Sequence, residues 1–488
     1  MQKFLVGDTF PFTGTTKNYV AFDLRAGNFM PIAAISKYHR SLRYLALAVS
    51  FSGFMSLGHA DVVREPLQTG VNFDIGRVQE SFFKEAQGLW LQRTGVAFTQ
   101  GVTVDDRLRL VVTIGGLFFN SFPEPISQSY QRSLKFGPGV GQAQGILKLG
   151  ELEHPWGRLR FGLIPYKYNP DAKNLGEYLL RSGAYPNVLI TGGWSIVNSA
   201  NMLIQGVDFE LHTGPVTHNL LVSMERAYEP TGDFTPAYLF SYKPHPAVEL
   251  GGGVAFAHLI PIQPSKTSPS PGSGGFPFNR YHGDTVVTDP NDSVYSRYTF
   301  EATKLMARAS VNFQTLLKSE YLGSEDLKLY AEAAVLGWKD YPFYYSDRWH
   351  RIPVMVGFNF PTFRLLDILA LEVEYRKADF VNSIAQSYVD RILPLPDLSN
   401  YGTNSTQSVT AYDKNALSKV PWYRYQGIKW SVYAKREIIP GLKVYTQIAS
   451  DHNRPYKFTS DGALVPNREP LTVRPEDWYY LLRLEMGI

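Results

Sequence analysis

The residue types that most often carry chemistry are thinly spread in this chain. Eight histidines follow residue 60: His154, His212, His218, His245, His258, His282, His350 and His452. No two of them stand at metal-ligand spacing, and neither an HExxH nor a GxxxxGK[ST] segment is present. With no cysteine, thiolate nucleophiles, thiolate metal sites and disulfides are excluded. Asp284, Asp289 and Asp292 offer oxygen ligands of the kind calcium takes, but the plainer reading is a solvated acidic loop. A Ser/His/Asp set assembled across loops leaves no mark in spacing. Gly251-Gly252-Gly253 opens a strand and eases close packing or curvature there. The charges that repeat at every second position are more informative. They fall in five groups: Arg107 and Arg109; Arg158 and Arg160; Glu372, Glu374 and Arg376; Lys429 and Lys435; Arg483 and Glu485. Their chemistry is electrostatic. Ladders of opposite charge across an enclosed space set up a field that sorts solutes. The plainer alternative is that they pair with one another and wet an inner wall.

A period of two is strand geometry. Around these charges the other parity is apolar. Leu108, Leu110, Val112 and Ile114 oppose Arg107, Arg109 and Thr113, and Leu369, Leu371, Val373 and Tyr375 oppose Ala370, Glu372, Glu374 and Arg376. Ile428, Trp430, Val432 and Ala434 oppose Lys429, Ser431, Tyr433 and Lys435, and 300–313 and 350–360 alternate in the same way. Further strands are expected near 89–100, 136–150, 156–166, 199–212, 215–228, 233–245, 247–261, 326–338 and 442–452. The last, Trp478 to Ile488, is apolar on one face to its final residue and carries Arg483 and Glu485 on the other. A poorly marked sixteenth is expected within 68–80.

The connections sort by length. Gly214-Pro215, Pro244-His245-Pro246, Pro361-Thr362-Phe363 and Pro440-Gly441 are tight, and between them fall 167–198, 262–299, 339–348, 381–426 and 453–475. Long structureless loops argue against a compact soluble domain. Short turns at one end and long loops at the other are the pattern of a membrane-spanning barrel. Trp156, Trp349 and Trp478 at strand starts and Trp338 at a strand end suit a membrane–water boundary. An Arg or Lys on a lipid face costs roughly 2–4 kcal/mol near the midplane, so the charged parity is assigned to the inside.

Lys37, Arg40 and Arg43 precede a short uncharged stretch, Tyr44 to Gly58, closed by Gly58-His59-Ala60. That is the form of a secretory signal, expected over 30–60 with Met30 as its start and 1–29 as an over-extended beginning. A single barrel domain then occupies 61–488. The whole chain has 48 basic and 44 acidic residues. Residues 1–60 hold six Lys/Arg and two Asp, which leaves 42 of each sign and no net charge. The basic balance therefore belongs to the leader and does not point to nucleic acid. No cofactor is expected.

The signal, the sorted loops and the terminal strand together resemble a porin-like outer-membrane β-barrel protein of a Gram-negative-type bacterium. The expected fold is all-β, a closed antiparallel transmembrane barrel of about 16 strands, within a range of 14 to 18. The resemblance implies an outer-membrane location, lipid and the barrel-assembly machinery as partners, homo-oligomerisation as an option, and passive diffusion of small hydrophilic solutes without covalent chemistry. In general porins the third long loop folds into the channel. By that analogy loop 167–198 forms the constriction, with Asp171, Glu177 and Arg181 at its narrowest point. Two other classes fit the same pattern: a non-channel barrel that binds a glycan or another surface through its loops, and a barrel hydrolase working at the rim.

Overall fold

The computed structural model describes residues 20–22, 29–31, 61–82, 86–122, 135–181, 202–225, 232–260, 262, 285–288, 295–298, 302–338, 347–377, 427–453, 456–458, 464–466, 471–472 and 474–487. The expected signal over 30–60 lies almost wholly outside them, as do Asp284, Asp289, Asp292 and Ile488.

Sixteen antiparallel strands close into one barrel. In chain order they are β1 (Gln68–Glu80), β2 (Trp90–Val104), β3 (Leu108–Phe122), β4 (Lys135–Gly150), β5 (Pro155–Tyr166) and β6 (Met202–Thr213). Next come β7 (Val216–Met224), β8 (Phe234–His245), β9 (Val248–Ala257), β10 (Ala302–Asn312) and β11 (Lys328–Val335). The last five are β12 (Val354–Asn359), β13 (Ile368–Tyr375), β14 (Ile428–Ile439), β15 (Leu442–Ser450) and β16 (Trp478–Gly487). Each pairs with its neighbours in sequence, and β16 pairs with β1. A short segment, Val62–Arg64, also pairs with β2.

The seam is the decisive join. Leu481 lies opposite Gly76 and Arg483 opposite Asp74. A Cβ on Gly76 would sit within 2.1 Å of the Leu481 side chain, so glycine is what lets β16 approach there. This also explains why 68–80 is hard to read as a strand. Its inward positions Gly70, Asn72, Asp74 and Gly76 are small or polar, because the seam needs space and an ion pair where other strands carry bulk.

Outside, the wall is apolar. Ile114, Leu220, Val207, Val356, Leu484 and Met486 are among the exposed large side chains. Each belongs to the parity opposite the charges. On β16, Leu482 and Leu484 face out, while Tyr479 and Leu481 are fully buried inside and Arg483 is 9% exposed. Trp90, Trp338 and Trp349 lie exposed at the long-loop end and Trp156 at the other, with Trp90 edge-on to Tyr480. No helix of the described residues is long and apolar enough to cross a membrane.

The short connections 105–107, 151–154, 214–215, 246–247, 360–367 and 440–441 all lie at one end. Asp105 and Asp106 both adopt left-handed backbone, as a tight hairpin turn requires, and Gly441 does so with φ of 85°. The exception is 313–327, a longer connection at this end that contains the helix Phe313–Leu317. Asn312 caps that helix, its side chain accepting from Thr315 N. The opposite end carries the longer connections, of which 167–201 is the third.

Candidate functional site in the barrel interior

The interior divides into two halves. At the long-loop end chain packs onto its wall. Residues 167–181 leave β5, turn inward and seat on the inner wall. The turn begins with Asn169, whose side-chain oxygen accepts from the backbone N–H of Asp171 and Ala172. Gly176 and Glu177 follow with φ of 82° and 58°. A Cβ at Gly176 would meet the Met355 side chain at 2.8 Å, so position 176 needs glycine for both its conformation and its space. The helix Tyr178–Arg181 ends the described part of this loop.

Two forces hold it. Leu175, Tyr178 and Leu179 are buried against Ile164, Ile204, Leu221, Leu239, Met306, Leu336 and Met355 of the inner wall. Full burial of one such side chain contributes roughly 1.5–3 kcal/mol. The second force is a set of wall carboxylates that accept the loop's backbone amides. Glu372 takes the N–H groups of Lys173, Asn174 and Leu175 at 2.5, 2.8 and 2.8 Å. Three successive amides converging on one anion make a backbone nest. Glu332 takes those of Glu177 and Tyr178 at 3.0 and 2.9 Å, and also the Tyr168 hydroxyl and Asn169 amide. Glu374 accepts the Tyr178 hydroxyl and lies 2.5 Å from His452. Asp451 accepts from Asn174, Tyr479 and Gln447.

The third loop thus enters the barrel, but its charged residues do not stand on open water. Asp171, Glu177 and Arg181 are 3, 2 and 4% exposed. Asp171 bonds Lys328 at 2.6 Å, and Glu177 accepts the N–H groups of Tyr168 and Asn169. The acidic ladder read from β13 is buried too. Glu372, Glu374 and Arg376 are 0, 1 and 6% exposed, and the loop lies over the two carboxylates. Lys429 is 2% exposed and donates to the Thr472 carbonyl of the eighth long loop. Leu471 of that loop packs on Val78, Leu91, Ala449, Tyr479 and Leu481 beside the seam. These residues dock chain on the wall.

Burial pushes the Glu177 carboxyl up to about 7, against the pull of Lys167 and Arg181 and with the push of Glu332. A raised value means that protonation favours the docked loop. Its contribution is complete below the ordinary carboxylate value of 4.5 and is lost as pH rises through about 7. The protection factors of the amides over 168–181, their exchange relative to the intrinsic base-catalysed rate at each pH, are therefore expected to be higher at mildly acid than at mildly alkaline pH. Glu177→Gln should flatten that dependence, and an unchanged profile in the variant would refute the assignment.

The short-turn half of the inner wall carries ion pairs. Arg158 pairs with Glu210 at 2.7 Å and Arg160 with Asp208 at 2.6 Å. Arg308 and Lys243 share Glu249 at 2.5 and 3.3 Å. Arg109 grips Glu65 through two bonds of 2.5 and 2.7 Å. That grip holds the Glu65 carboxyl below the usual range. Asp74 bonds both Arg93 and Arg483. Arg107, read from the sequence as an inward strand residue, sits exposed in the turn before β3, since the strand begins at Leu108. Lys435 lies over the Tyr445 ring at 5.8 Å, and Glu485 approaches Lys443 at 4.0 Å.

Several partners escape a reading by parity alone. Asp208 and Glu210 alternate two residues apart, and the hairpin register sets them opposite Arg160 and Arg158, so that signal was present. Asp74 stands in the poorly marked strand and Glu65 outside any barrel strand, and neither leaves such a signal. Among the described residues no group of His, Asp and Glu could hold a metal ion.

No protein-family model matches the chain, and no curated protein matches it. Solved structures do. An engineered variant of the Rhodopseudomonas blastica porin, substituted at three positions, aligns at 7% identity over 87% of this chain and 100% of that one, with a TM-score of 0.41. A structure described as concerning asymmetric conductivity of engineered proteins aligns at 8% identity over 88% and 100%, with a TM-score of 0.39. The barrel described above stands on this chain's own strand pairing.

Proposed function

We propose that this protein is an outer-membrane channel for passive diffusion of small hydrophilic solutes, exported by cleavage of residues 30–60. One observation carries the reading: a closed sixteen-strand barrel has an apolar outer wall and, over its short-turn half, an inner wall of exposed charged side chains. An apolar exterior with every strand paired suits hydrocarbon, where an open sheet edge would leave backbone groups unsatisfied. A charged interior has no reason to exist unless water reaches it. Tryptophans at both ends suit the two membrane boundaries. Selection would come from the width left beside residues 167–181 and from the wall charges, with no covalent step.

The packing of the third and eighth loops into the long-loop half favours a second reading, a barrel plugged at that end that serves a structural or surface-binding role. Reconstitution in planar bilayers separates the two. Discrete, ohmic conductance steps from detergent-purified protein are expected of the channel. Their absence, with the barrel shown folded by its heat-dependent gel mobility, would leave the plugged barrel.

A further inference from the structure

We infer that the short-turn half of the lumen is an anion-attracting vestibule, so that the channel passes small anions in preference to cations. The inference rests on the channel reading above and deepens it by naming the solute class.

The formal balance of charge hides an asymmetry of exposure. In three pairs along this half of the wall the cation reaches into the lumen and the carboxylate lies back against the strands; Arg308, at 5% against 14% for Glu249, is the exception. Arg158 has 45% of its side chain exposed against 10% for Glu210. Lys243 has 61% against 14% for Glu249, and Arg109 has 46% against 23% for Glu65. The cause is side-chain length. Arg and Lys extend past the wall, whereas Asp and Glu accept from their sides near the backbone.

Lys148 adds to the same arc. Its register partner on β5 is Arg158, and its backbone N–H donates to the carbonyl of Arg107 on the other side. Two cations, Lys148 and Arg158, therefore fall in one row across β4 and β5, with Glu210 on β6 as the row's carboxylate. Beyond β1 and β2 on the same wall, Lys443 and Glu485 are about equally exposed and Lys435 stands beside them. Among the described residues the more accessible carboxylates at this end include Glu485, Glu437, Glu325 and Asp367, and each stands beside a cation: Glu485 and Glu437 at Lys443, Glu325 between Lys173 and Lys328, and Asp367 at Arg436. Asp61, Asp105, Asp106, Glu151 and Glu153 lie exposed in the turns at the mouth, beyond the wall. Bulk electrolyte screens charges there over about 8–10 Å. Charges inside a low-dielectric wall are focused on what passes.

The test uses the full mature protein in planar bilayers across a potassium chloride gradient, read as reversal potential. A chloride permeability roughly three to five times that of potassium is expected. Lys148→Glu and Lys243→Glu, on separate strands, should each lower the ratio, and together bring it to unity or below. Lys243 is exposed and Lys148 half-buried, neither in the packed interior, so folding is expected to survive. Should Lys148→Glu fail to fold, Lys243→Glu alone decides the matter. Conductance with potassium preferred, or a chloride preference that the folded variants leave unmoved, would overturn the vestibule and leave the channel standing. Absence of any conductance would instead remove the channel reading.

Discussion

Glu372→Ala is expected to free the third loop from the wall while leaving the barrel closed. The carboxylate of Glu372 accepts three consecutive backbone amides of the loop, and the Tyr330 hydroxyl donates to it as well. Hydrogen bonds to a charged acceptor contribute about 1.5–3 kcal/mol each, and a buried amide left without a partner costs about 1–3 kcal/mol. Those terms overlap, so the loss of docking free energy is expected to be on the order of 3–5 kcal/mol. The strands should not feel it, because β13 keeps its full register with β12 and β14. Limited proteolysis checks this directly. Cleavage within 168–181 should appear in the variant and be absent from the parent, while heat-dependent gel mobility stays the same. Single-channel conductance should rise as the loop leaves the lumen. A loop that remains as protected as in the parent would show that apolar burial alone holds it.

Asp74→Ala carries the second large effect, and it falls on the barrel itself. Asp74 is 1% exposed and bonds Arg483 of β16 and Arg93 of β2, so one carboxylate ties both strands that flank β1. Removing it leaves two guanidinium groups buried at 6 and 9% exposure with no counter-charge from position 74. Breaking a buried pair in this way costs about 3–5 kcal/mol. The temperature at which the compact band is lost on an unboiled gel should fall clearly. Replacing Asp74, Arg93 and Arg483 together by Leu should restore much of the loss, because the cost lies in buried charge deprived of the Asp74 carboxylate. If the single variant melts with the parent, the triad does not hold the seam.

The faces of the strands were legible from residue types because the two sides of a barrel wall meet unlike surroundings. Alternation therefore named the outward side chains of β3, β12, β13, β14 and β16 in advance. Loop lengths were legible for a related reason. Short hairpins need left-handed or glycine turns, and these are marked at 105–106, 214 and 441. The helix-bearing connection 313–327 broke that sorting, and its Asn312 cap is a local signal that alternation does not register.

The sequence by itself determined the class of wall: paired strands, apolar without and charged within, with the third long loop as the segment to watch. Only the tertiary structure decided what the charges do. Glu372 and Glu374 alternate in the sequence just as Arg158 and Arg160 do, yet the first pair is sealed under residues 167–181 while Arg158 reaches into the lumen. Alternation reports which face a side chain is on, because that is fixed by its own strand. It does not report what lies against that face, since the covering chain is some 200 residues distant in sequence. The closing of β16 on β1 is of the same kind. The residues of β16 carry the pattern of a wall strand, but Asp74 and Gly76, which receive it, are distinguished from other small and polar residues only by the 409-residue separation that the fold brings to hydrogen-bond distance.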